Sequence, residues 1–438
     1  MRWLPIYPLF LFAMAITTFA QTPAEFAEIW DKEHISHIQP SDVRHKDLLK
    51  YLERLKKHGI QMTEVGRSVQ NREIFQLEWG NGPLKVFLWS QMHGDEPTAT
   101  SALVDIFGVL HKERDKKWVK ELESAITIRA VPMLNPDGAE TYLRRNAQGL
   151  DINRDALSLV SPEARLLKRL RDEWSPAIGF NLHNQQERTT AGNTYDQAAI
   201  SLLVVYGDPA KTENEGQLRN RRLAGGMAVA LRQFIPGHIA RYDDEWTPTA
   251  FGDNFSAWGT PTILIESGAL HGKDELFLVK MNFIAMMTAL RSLADGSEAA
   301  LDAAQYSSLP ANTSGRIANQ IFRRASVVAP DGKEPFAVKD IASYTERRRW
   351  SFAAPSIVRR IEPDLKSVAG LDEYDASGFN VAGRFVPLKL GSFAELLFYK
   401  KGRQIDWAGA DVEKQFPPDA VFSLGRWVVG EGVVPKIK

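Results

Sequence analysis

The feature that most constrains this chain of 438 residues is an alternation of apolar runs with helical patterns between residues 61 and 294. The runs are rich in β-branched and aromatic residues and predict seven strands, at 61–67, 73–79, 84–91, 125–134, 177–183, 201–206 and 261–266. Between and after the later runs, apolar residues at helical spacing predict helices at 98–111, 162–174, 216–234 and 274–294. This alternation is typical of a mainly parallel sheet covered on both faces, so we predict an α/β fold.

The segment ahead of the alternation is helical by pattern. Residues 22–36 form a polar, helix-like leader, and residues 45–58 place four leucines on one helical face. The first two apolar runs are joined by the short stretch SVQNRE, which predicts a hairpin at the edge of the sheet. Beyond about residue 295 the alternation weakens, and short strand-like runs with many aromatic residues predict a small β-rich region. The predicted division is a signal peptide at 1–20, a leader at 21–40, an α/β domain at 41–296, a linker at 297–334 and a β-rich accessory domain at 335–438.

The first residues predict where the protein resides. One arginine is followed by an apolar run and by small residues just before Gln21, which is typical of a cleaved secretory signal. The alternative is an uncleaved membrane anchor, but the apolar run is short for a span of about 20 residues. The chain has no cysteine, so its stability depends on its core rather than on disulfides. We therefore expect a secreted or periplasmic bacterial protein.

The overall charge excludes one class of partner. Lys plus Arg and Asp plus Glu both number 54, so the net charge is near zero, and no block of like charges occurs. Nucleic-acid-binding proteins usually carry a basic patch or tail. We expect no nucleic-acid partner, and no membrane contact once the signal is cleaved.

Polar side chains follow several of the predicted strands at the point where each strand ends. His93 and Glu96 come after the third strand, Asn-Pro-Asp-Gly at 135–138 after the fourth, and His183 and Glu266 end two later ones. Ligands of open α/β sheets bind outside the carboxyl ends of the strands. We therefore expect these side chains to meet at one rim of the sheet.

The residue types at this rim suit a metal. His93, Glu96 and His183 supply two imidazoles and a carboxylate, a set that binds catalytic zinc and leaves a position for water. We expect one zinc ion per site, with Glu266 as the general base and later general acid for the bound water. Taken alone, a His-x-x-Glu pair and an Asn-Pro-Asp-Gly turn are weak signals, and a polar surface turn is the better explanation of each.

With these residues identified, the sequence resembles the zinc carboxypeptidase family of the carboxypeptidase A type, the M14 metallopeptidases, and most of all its compact bacterial members. The resemblance covers about residues 40–295 and rests on five ordered motifs: HGDE at 93–96, NPDG at 135–138, RRNAQGLDINRD at 144–155, NLHN at 181–184 and ILIESG at 263–268. It implies a mixed eight-stranded sheet between helices. It also implies that His93, Glu96 and His183 bind zinc and that Glu266 is the base.

The resemblance implies further roles in the third motif. Arg144 matches the residue that stabilises the oxyanion, with Arg145 as the alternative if the motif is displaced by one position. Asn153 and Arg154 match the pair that binds the terminal carboxylate of the substrate. Asp151 matches an acid that hydrogen-bonds a zinc-binding histidine, here His93, although a helix cap explains it as well.

Two positions depart from the best-known relatives. Many carboxypeptidases have arginine at the position of Asp95. In this respect the chain resembles the deacylase and bacterial branches of the family instead. Tyr242 is the candidate for the tyrosine that caps the substrate carboxylate, although its segment does not align cleanly. We expect the acids of that segment to form a solvated loop rather than a pocket for a basic residue; they are Asp243, Asp244, Glu245 and Asp253.

These observations predict a secreted zinc carboxypeptidase that acts on peptides with a free C-terminal carboxylate, with murein peptides among the candidate substrates. The first alternative is a zinc-dependent N-acyl amino-acid deacylase on the same scaffold, which Asp95 also fits. The second is a binding module with an inactive metal site. Glu266 and Arg144 argue against that module, because neither is needed to bind zinc alone.

Overall fold

The computed structural model describes residues 21–346, 348–409 and 411–438, so the predicted signal peptide at 1–20 lies outside the described residues. Helices of the described residues are α1 (Pro23–Glu33), α2 (His45–Lys57), α3 (Thr98–Lys112), α4 (Lys117–Ala125), α5 (Pro136–Thr141), α6 (Pro162–Trp174), α7 (Glu215–Arg232), α8 (Phe251–Ala257), α9 (Glu275–Asp295), α10 (Ala304–Ser307) and α11 (Val412–Gln415). Strands β1 to β9 are Gln61–Arg67, Glu73–Gly80, Leu84–Ser90, Ile126–Val131, Ile178–Asn184, Thr190–Ala191, Ile200–Val205, Ile239–Arg241 and Thr262–Ser267. Strands β10 to β18 are Asn312–Thr313, Ile317–Val327, Ala337–Thr345, Ser356–Glu362, Ala369–Asp375, Phe379–Gly383, Leu396–Lys400, Ala420–Ser423 and Arg426–Val429.

A mixed sheet of eight strands forms the centre of the first part of the chain, in the order β1-β2-β4-β3-β5-β9-β7-β8. The four inner strands β4, β3, β5 and β9 are parallel, so their carboxyl ends share one rim. The hairpin β1–β2 lies at one edge and is antiparallel. The predicted α/β fold and eight-stranded sheet are confirmed. Strand β8 was missed because three residues are too few for a periodic pattern.

The inner strands are buried because helices cover both faces of the sheet. Every residue of β7 and β9 is buried, which explains why these strands are continuous apolar runs rather than alternating ones. Helix α9 packs against α3 and α7. Among the described residues it alone is long and apolar enough to cross a membrane, but 78% of its apolar window is buried inside the protein. Its composition is therefore explained by the core.

The leader is docked on the sheet domain through one buried carboxylate. Asp105, in the middle of α3, is fully buried and accepts four hydrogen bonds. The donors are Trp30 Nε1, Ile35 N, Ser36 N and Ser36 Oγ, at 2.7–2.9 Å. A buried polar group this well satisfied ties the segment after α1 to the core.

The C-terminal part of the chain is rich in β-structure, as predicted. Strands β11 to β18 form one sheet, named here the C-terminal sheet, in the order β13-β12-β11-β15-β16-β17-β18, with β14 paired to β11. The structure differs from the predicted linker at 297–334, because β10 and the eleven-residue β11 lie within it. Polar residues at 319, 320, 323 and 324 interrupt the apolar pattern of β11, which concealed the strand.

Candidate metal centre

Three donor side chains converge at the rim of the central sheet. His93 and Glu96 lie in the turn between β3 and α3, and His183 lies in β5. The three are 2%, 4% and 3% exposed, respectively. One donor atom from each lies within 4.8 Å of the others, a spacing that suits a single metal ion.

The turn that carries His93 and Glu96 is braced by the Asn-Pro-Asp-Gly motif. Asn135 Oδ1 accepts from Gly138 N at 2.9 Å and so caps α5, while Asn135 Nδ2 donates to Met92 O at 3.1 Å. A Cβ at Gly94 would lie 1.9 Å from the carbonyl carbon of Gly138, so only glycine fits there. The motif that sequence patterns alone describe as a turn is thus a helix start that holds the turn with the two candidate metal donors.

Both imidazoles present their Nδ1 atoms to the same carboxylate. His93 Nδ1 lies 2.9 Å from Glu96 Oε1, and His183 Nδ1 lies 2.6 Å from Glu96 Oε2. Asn184 N also donates to Glu96 Oε2, at 3.1 Å. Among the described residues, His183 Nε2 has no hydrogen-bond partner. Two buried imidazoles and one carboxylate that face one point form the donor set that zinc prefers.

The buried charges influence one another strongly. Burial raises the pKa of Glu96, but the two imidazoles outweigh that effect and hold it well below its usual range. Burial lowers the pKa of His93, but Glu96 and the hydrogen bond to Asp151 raise it to about 9. Burial lowers the pKa of His183 more than Glu96 raises it. Glu96 is therefore ionised and His183 neutral, the protonation states in which both groups bind metal.

Asp151 orients His93 from the opposite side of the ring. His93 Nε2 donates to Asp151 Oδ1 at 3.0 Å, which is the contact that the resemblance implied. Asp151 also caps the short turn Ile152–Arg154 by accepting from Asn153 N at 3.0 Å, so both predicted roles occur together. Burial raises the pKa of Asp151, but the contacts with His93 and Arg144 lower it by more, so the pKa lies well below its usual range.

The two arginines of the RRNAQG stretch lie in different surroundings. Arg144 Nη1 donates to Glu96 Oε1 at 3.1 Å, and its Nε donates to Asp151 Oδ2 at 3.0 Å. Its side chain is 42% exposed and lines the cavity beside the donors. Arg145 instead donates to Gly149 O at 2.8 Å and is exposed. The geometry favours Arg144 over Arg145 as a group that meets a bound substrate.

A cavity of about 370 Å³, named here the rim cavity, opens above the metal donors. Glu266 of β9 lines it and is paired in register with His183 of β5. It is buried, at 6% exposure. The parallel pairing of two neighbouring strands thus brings a carboxylate next to a metal donor that precedes it by more than eighty residues.

The remaining predicted residues also line the rim cavity. Asn153 Oδ1 accepts from Phe251 N at 2.9 Å, and Arg154 Nη1 donates to Asn153 O at 2.8 Å, so both are held at the wall. Tyr242 follows β8 and is half-buried. The negative charge of Glu266, together with burial, raises the pKa of Tyr242, so its hydroxyl keeps its proton.

The acidic segment after Tyr242 lies on the cavity wall as well. Asp243, Asp244 and Glu245 belong to neither a helix nor a strand, as expected for a loop, yet they line the rim cavity together with Asp253 and Asp95. Lys211 Nζ lies 2.7 Å from Asp244. Burial raises the pKa of Asp253 to about 6. The expectation of a merely solvated loop was therefore incomplete.

Some lining residues were missed by sequence patterns. They include Asn181, Gln186, Thr189 and Asn312. Asn181 stands two residues before His183 in β5, so alternation along the strand was a usable signal. Asn312 comes from the segment predicted as a linker, and nothing local marks it.

Comparisons with known proteins agree with this geometry. Residues 45–206 match the model of the zinc carboxypeptidase family. Carboxypeptidase 2 of Trichophyton rubrum is 32% identical over 112 residues, which are 26% of this chain and 20% of that protein. Carboxypeptidase D of Mus musculus is 31% identical over 199 residues, which are 40% of this chain and 14% of that protein. The chain thus spans at most a fifth of the length of these two curated relatives.

Solved structures are similar at lower identity. A metallo-carboxypeptidase from Burkholderia cenocepacia has a TM-score of 0.48 at 16% identity, over 57% of this chain and 69% of that one. The family match itself ends before Glu266, which only the folded sheet brings to the donors. The chain is therefore similar to the zinc carboxypeptidase family over residues 45–206.

Proposed function

We propose that this protein is a zinc-dependent carboxypeptidase that hydrolyses the C-terminal bond of peptides with a free terminal carboxylate. One observation carries the proposal. A single cavity is lined by the three metal donors, by a further buried carboxylate, Glu266, and by the guanidinium groups of Arg144 and Arg154. A metal site for structure alone would need the donors but neither the extra carboxylate nor the two cations.

His93, Glu96 and His183 would hold the zinc ion, since their buried donor atoms face one point. When bound, zinc lowers the pKa of a coordinated water from 15.7 to about 7 and polarises a carbonyl oxygen. Glu266 is the group of this chain that takes the proton from the attacking water and passes it to the leaving amine. Its place on β9, in register with His183, supports that role.

Arg144 stabilises the negative oxygen that forms on the attacked carbonyl. Its guanidinium is held by Asp151 and Glu96 and is therefore oriented before the substrate arrives. Preorganised donors of this kind contribute most when charge develops in the transition state, and loss of one costs about 2.7–4 kcal/mol.

Arg154 and Asn153 bind the terminal carboxylate of the peptide. A guanidinium can hold a carboxylate through two parallel hydrogen bonds, which gives a preference for chain ends. Tyr242 adds a neutral hydroxyl donor on the same cavity, because its raised pKa keeps it protonated.

The second candidate is an N-acyl amino-acid deacylase, with which Asp95 in the cavity wall is also compatible. Purified protein, with and without a chelator, is incubated with a mixed peptide library, with murein peptides and with N-acyl amino acids, and products are analysed by mass spectrometry. Chelator-sensitive loss of C-terminal residues supports the carboxypeptidase, and the murein arm tests whether such peptides are its substrates. Release of acyl groups alone supports the deacylase, and zinc binding without turnover supports a binding module.

We also propose that the protein is secreted or periplasmic. The pattern of residues 1–20 supports this. Cell fractionation of a bacterial host, with N-terminal sequencing of the exported form, tests it. A mature form that starts at Gln21 is expected, and retention of the full chain in the cytoplasm contradicts the proposal.

A further inference from the structure

One wall of the rim cavity is a loop that the central sheet alone does not hold. Residues 185–191 follow β5, and Gln185, Gln186 and Thr189 line the cavity. Gln185 is tied to the sheet domain, because its N donates to Ser267 O at 2.9 Å and its Nε2 donates to Ala198 O at 2.8 Å. Glu187 O accepts from Gln197 Nε2 at 2.7 Å and Thr189 O accepts from Ala198 N at 2.8 Å, whereas the Arg188 side chain makes its contacts outside the sheet domain.

Arg188, between the lining residues Gln186 and Thr189, reaches the C-terminal sheet. Its Nη1 donates to Asn319 Oδ1 of β11 at 3.0 Å and to Thr345 O of β12 at 2.6 Å. Its guanidinium carbon lies 5.5 Å from the centre of the Tyr344 ring. Arg188 therefore makes hydrogen bonds to two strands of the C-terminal sheet and a cation–π contact with Tyr344.

The acceptors of Arg188 are themselves ordered. Thr345 N donates to Asn319 Oδ1 at 2.8 Å, so the same amide oxygen serves the strand backbone and the arginine. Asn319 is therefore oriented by the backbone of β12 as well as by Arg188.

A second attachment follows directly in the chain. Strand β6, at the end of the loop, pairs with β10, the strand that leads into the C-terminal sheet. Thr190 Oγ1 donates to Thr313 O at 3.3 Å, and Gly192 N donates to Ala311 O at 2.8 Å. Asn312 of β10 lines the rim cavity itself. The end of this wall at β6 thus depends on residues beyond the sheet domain, whereas its start at Gln185 does not.

We propose that the C-terminal sheet is part of the active site, because it fixes the conformation of loop 185–191, and that Arg188 is the positioning residue for this cavity wall. Arg188 acts through Gln186 and Thr189 and touches no reacting atom. The expected consequence for substrate binding rests on the proposed carboxypeptidase function, whereas the effect on loop conformation does not.

The test compares Arg188→Ala and Arg188→Lys with the control Arg349→Ala in the full chain. Arg349 also joins the C-terminal part to the sheet domain, through Asp42 at 3.3 Å, but it does not contact the loop. Amide hydrogen exchange of residues 185–191, zinc content, KM and kcat for a peptide substrate are measured for each variant.

For Arg188→Ala we expect loop amides to exchange about tenfold faster or more, because local opening becomes easier. We expect KM to rise about tenfold, kcat to stay within about twofold and zinc content to stay at one per chain, because the wall binds substrate and transition state alike. Arg188→Lys keeps the charge but lacks the planar guanidinium, so its loop exchange rate and its KM should lie between those of wild type and Arg188→Ala. If Arg188→Ala does not fold, loop exchange and KM are compared between Arg188→Lys and Arg349→Ala instead.

Unchanged loop exchange in the Arg188 variants overturns the proposal. Faster exchange with an unchanged KM, or an equal KM rise in Arg349→Ala, overturns the role of the wall in substrate binding. A wild-type protein without turnover contradicts the proposed function instead, and the exchange data then decide the positioning of the loop by themselves.

Discussion

Replacement of Asp151 by asparagine separates its two roles. Asp151 Oδ1 accepts from His93 Nε2 and from Asn153 N, both at 3.0 Å, and Oδ2 accepts from Arg144 Nε at 3.0 Å. Asparagine caps helices about as well as aspartate, so the turn should survive. Its side-chain NH₂ cannot accept from Arg144, and the negative charge that supports the His93 imidazole is lost.

The expected effect is a loss of metal affinity without unfolding. Removal of an outer partner of a metal-binding histidine typically costs 10- to 100-fold in affinity, which corresponds to about 1.4–2.7 kcal/mol. Zinc affinity is measured by competition with a chelator of known affinity at one pH, and stability by urea unfolding of the metal-free protein. We expect the zinc Kd of Asp151→Asn to rise 10- to 100-fold. The metal-free variant should still unfold cooperatively, with a lower free energy of unfolding than wild type because the carboxylate's ion pairs with His93 and Arg144 are lost.

A control distinguishes this effect from a general loss of negative charge. Asp172 lies on α6, where it pairs with Arg171 at 3.0 Å, away from the rim cavity. Asp172→Asn should leave the zinc Kd unchanged. If Asp151→Asn binds zinc within twofold of wild type, the carboxylate does not support His93 and the reasoning from this contact is wrong.

Three further predictions concern catalysis and stability. Glu266→Gln should lower kcat by about 10²–10⁴-fold, because the general base is lost; it should keep its zinc, and loss of the metal would show that Glu266 is a ligand. Asp253 has its pKa raised from 3.8 to about 6 in the folded protein, so its contribution to stability is present below pH 3.8 and is lost as the pH rises through 6. The free energy of unfolding of Asp253→Asn, measured with urea, should therefore increase relative to that of wild type between pH 4 and pH 7. A difference between the two proteins that does not change with pH refutes this. Asp105→Ala leaves four buried donors without their acceptor and should lower the free energy of unfolding by about 3 kcal/mol, whereas a loss below about 1 kcal/mol would mean that the leader is not docked through this carboxylate.

The candidate metal donors and Glu266 could be predicted because they stand at the ends of predicted strands. His93, Glu96, His183 and Glu266 each follow or end a strand that local apolar patterns identify. Parallel strands bring such positions to one rim, so their proximity follows from the fold class. The same logic did not distinguish Arg144 from Arg145, because the RRNAQG stretch is irregular. Only its hydrogen bonds to Asp151 and Glu96 did so.

The sequence by itself determined most of the longer strands and helices of the sheet domain, the α/β class and the candidate metal donors, because periodicity and residue type are local properties. It did not determine which residues complete the cavity walls. Asn312, and the anchoring of loop 185–191 by Arg188, depend on contacts between distant segments, such as that between Thr190 and Thr313, 123 positions apart. Such contacts form only when two sheets pack together, and no pattern within one segment encodes them. The tertiary structure alone therefore decided that Asn312 completes the cavity wall and that the neighbouring loop contacts the C-terminal sheet.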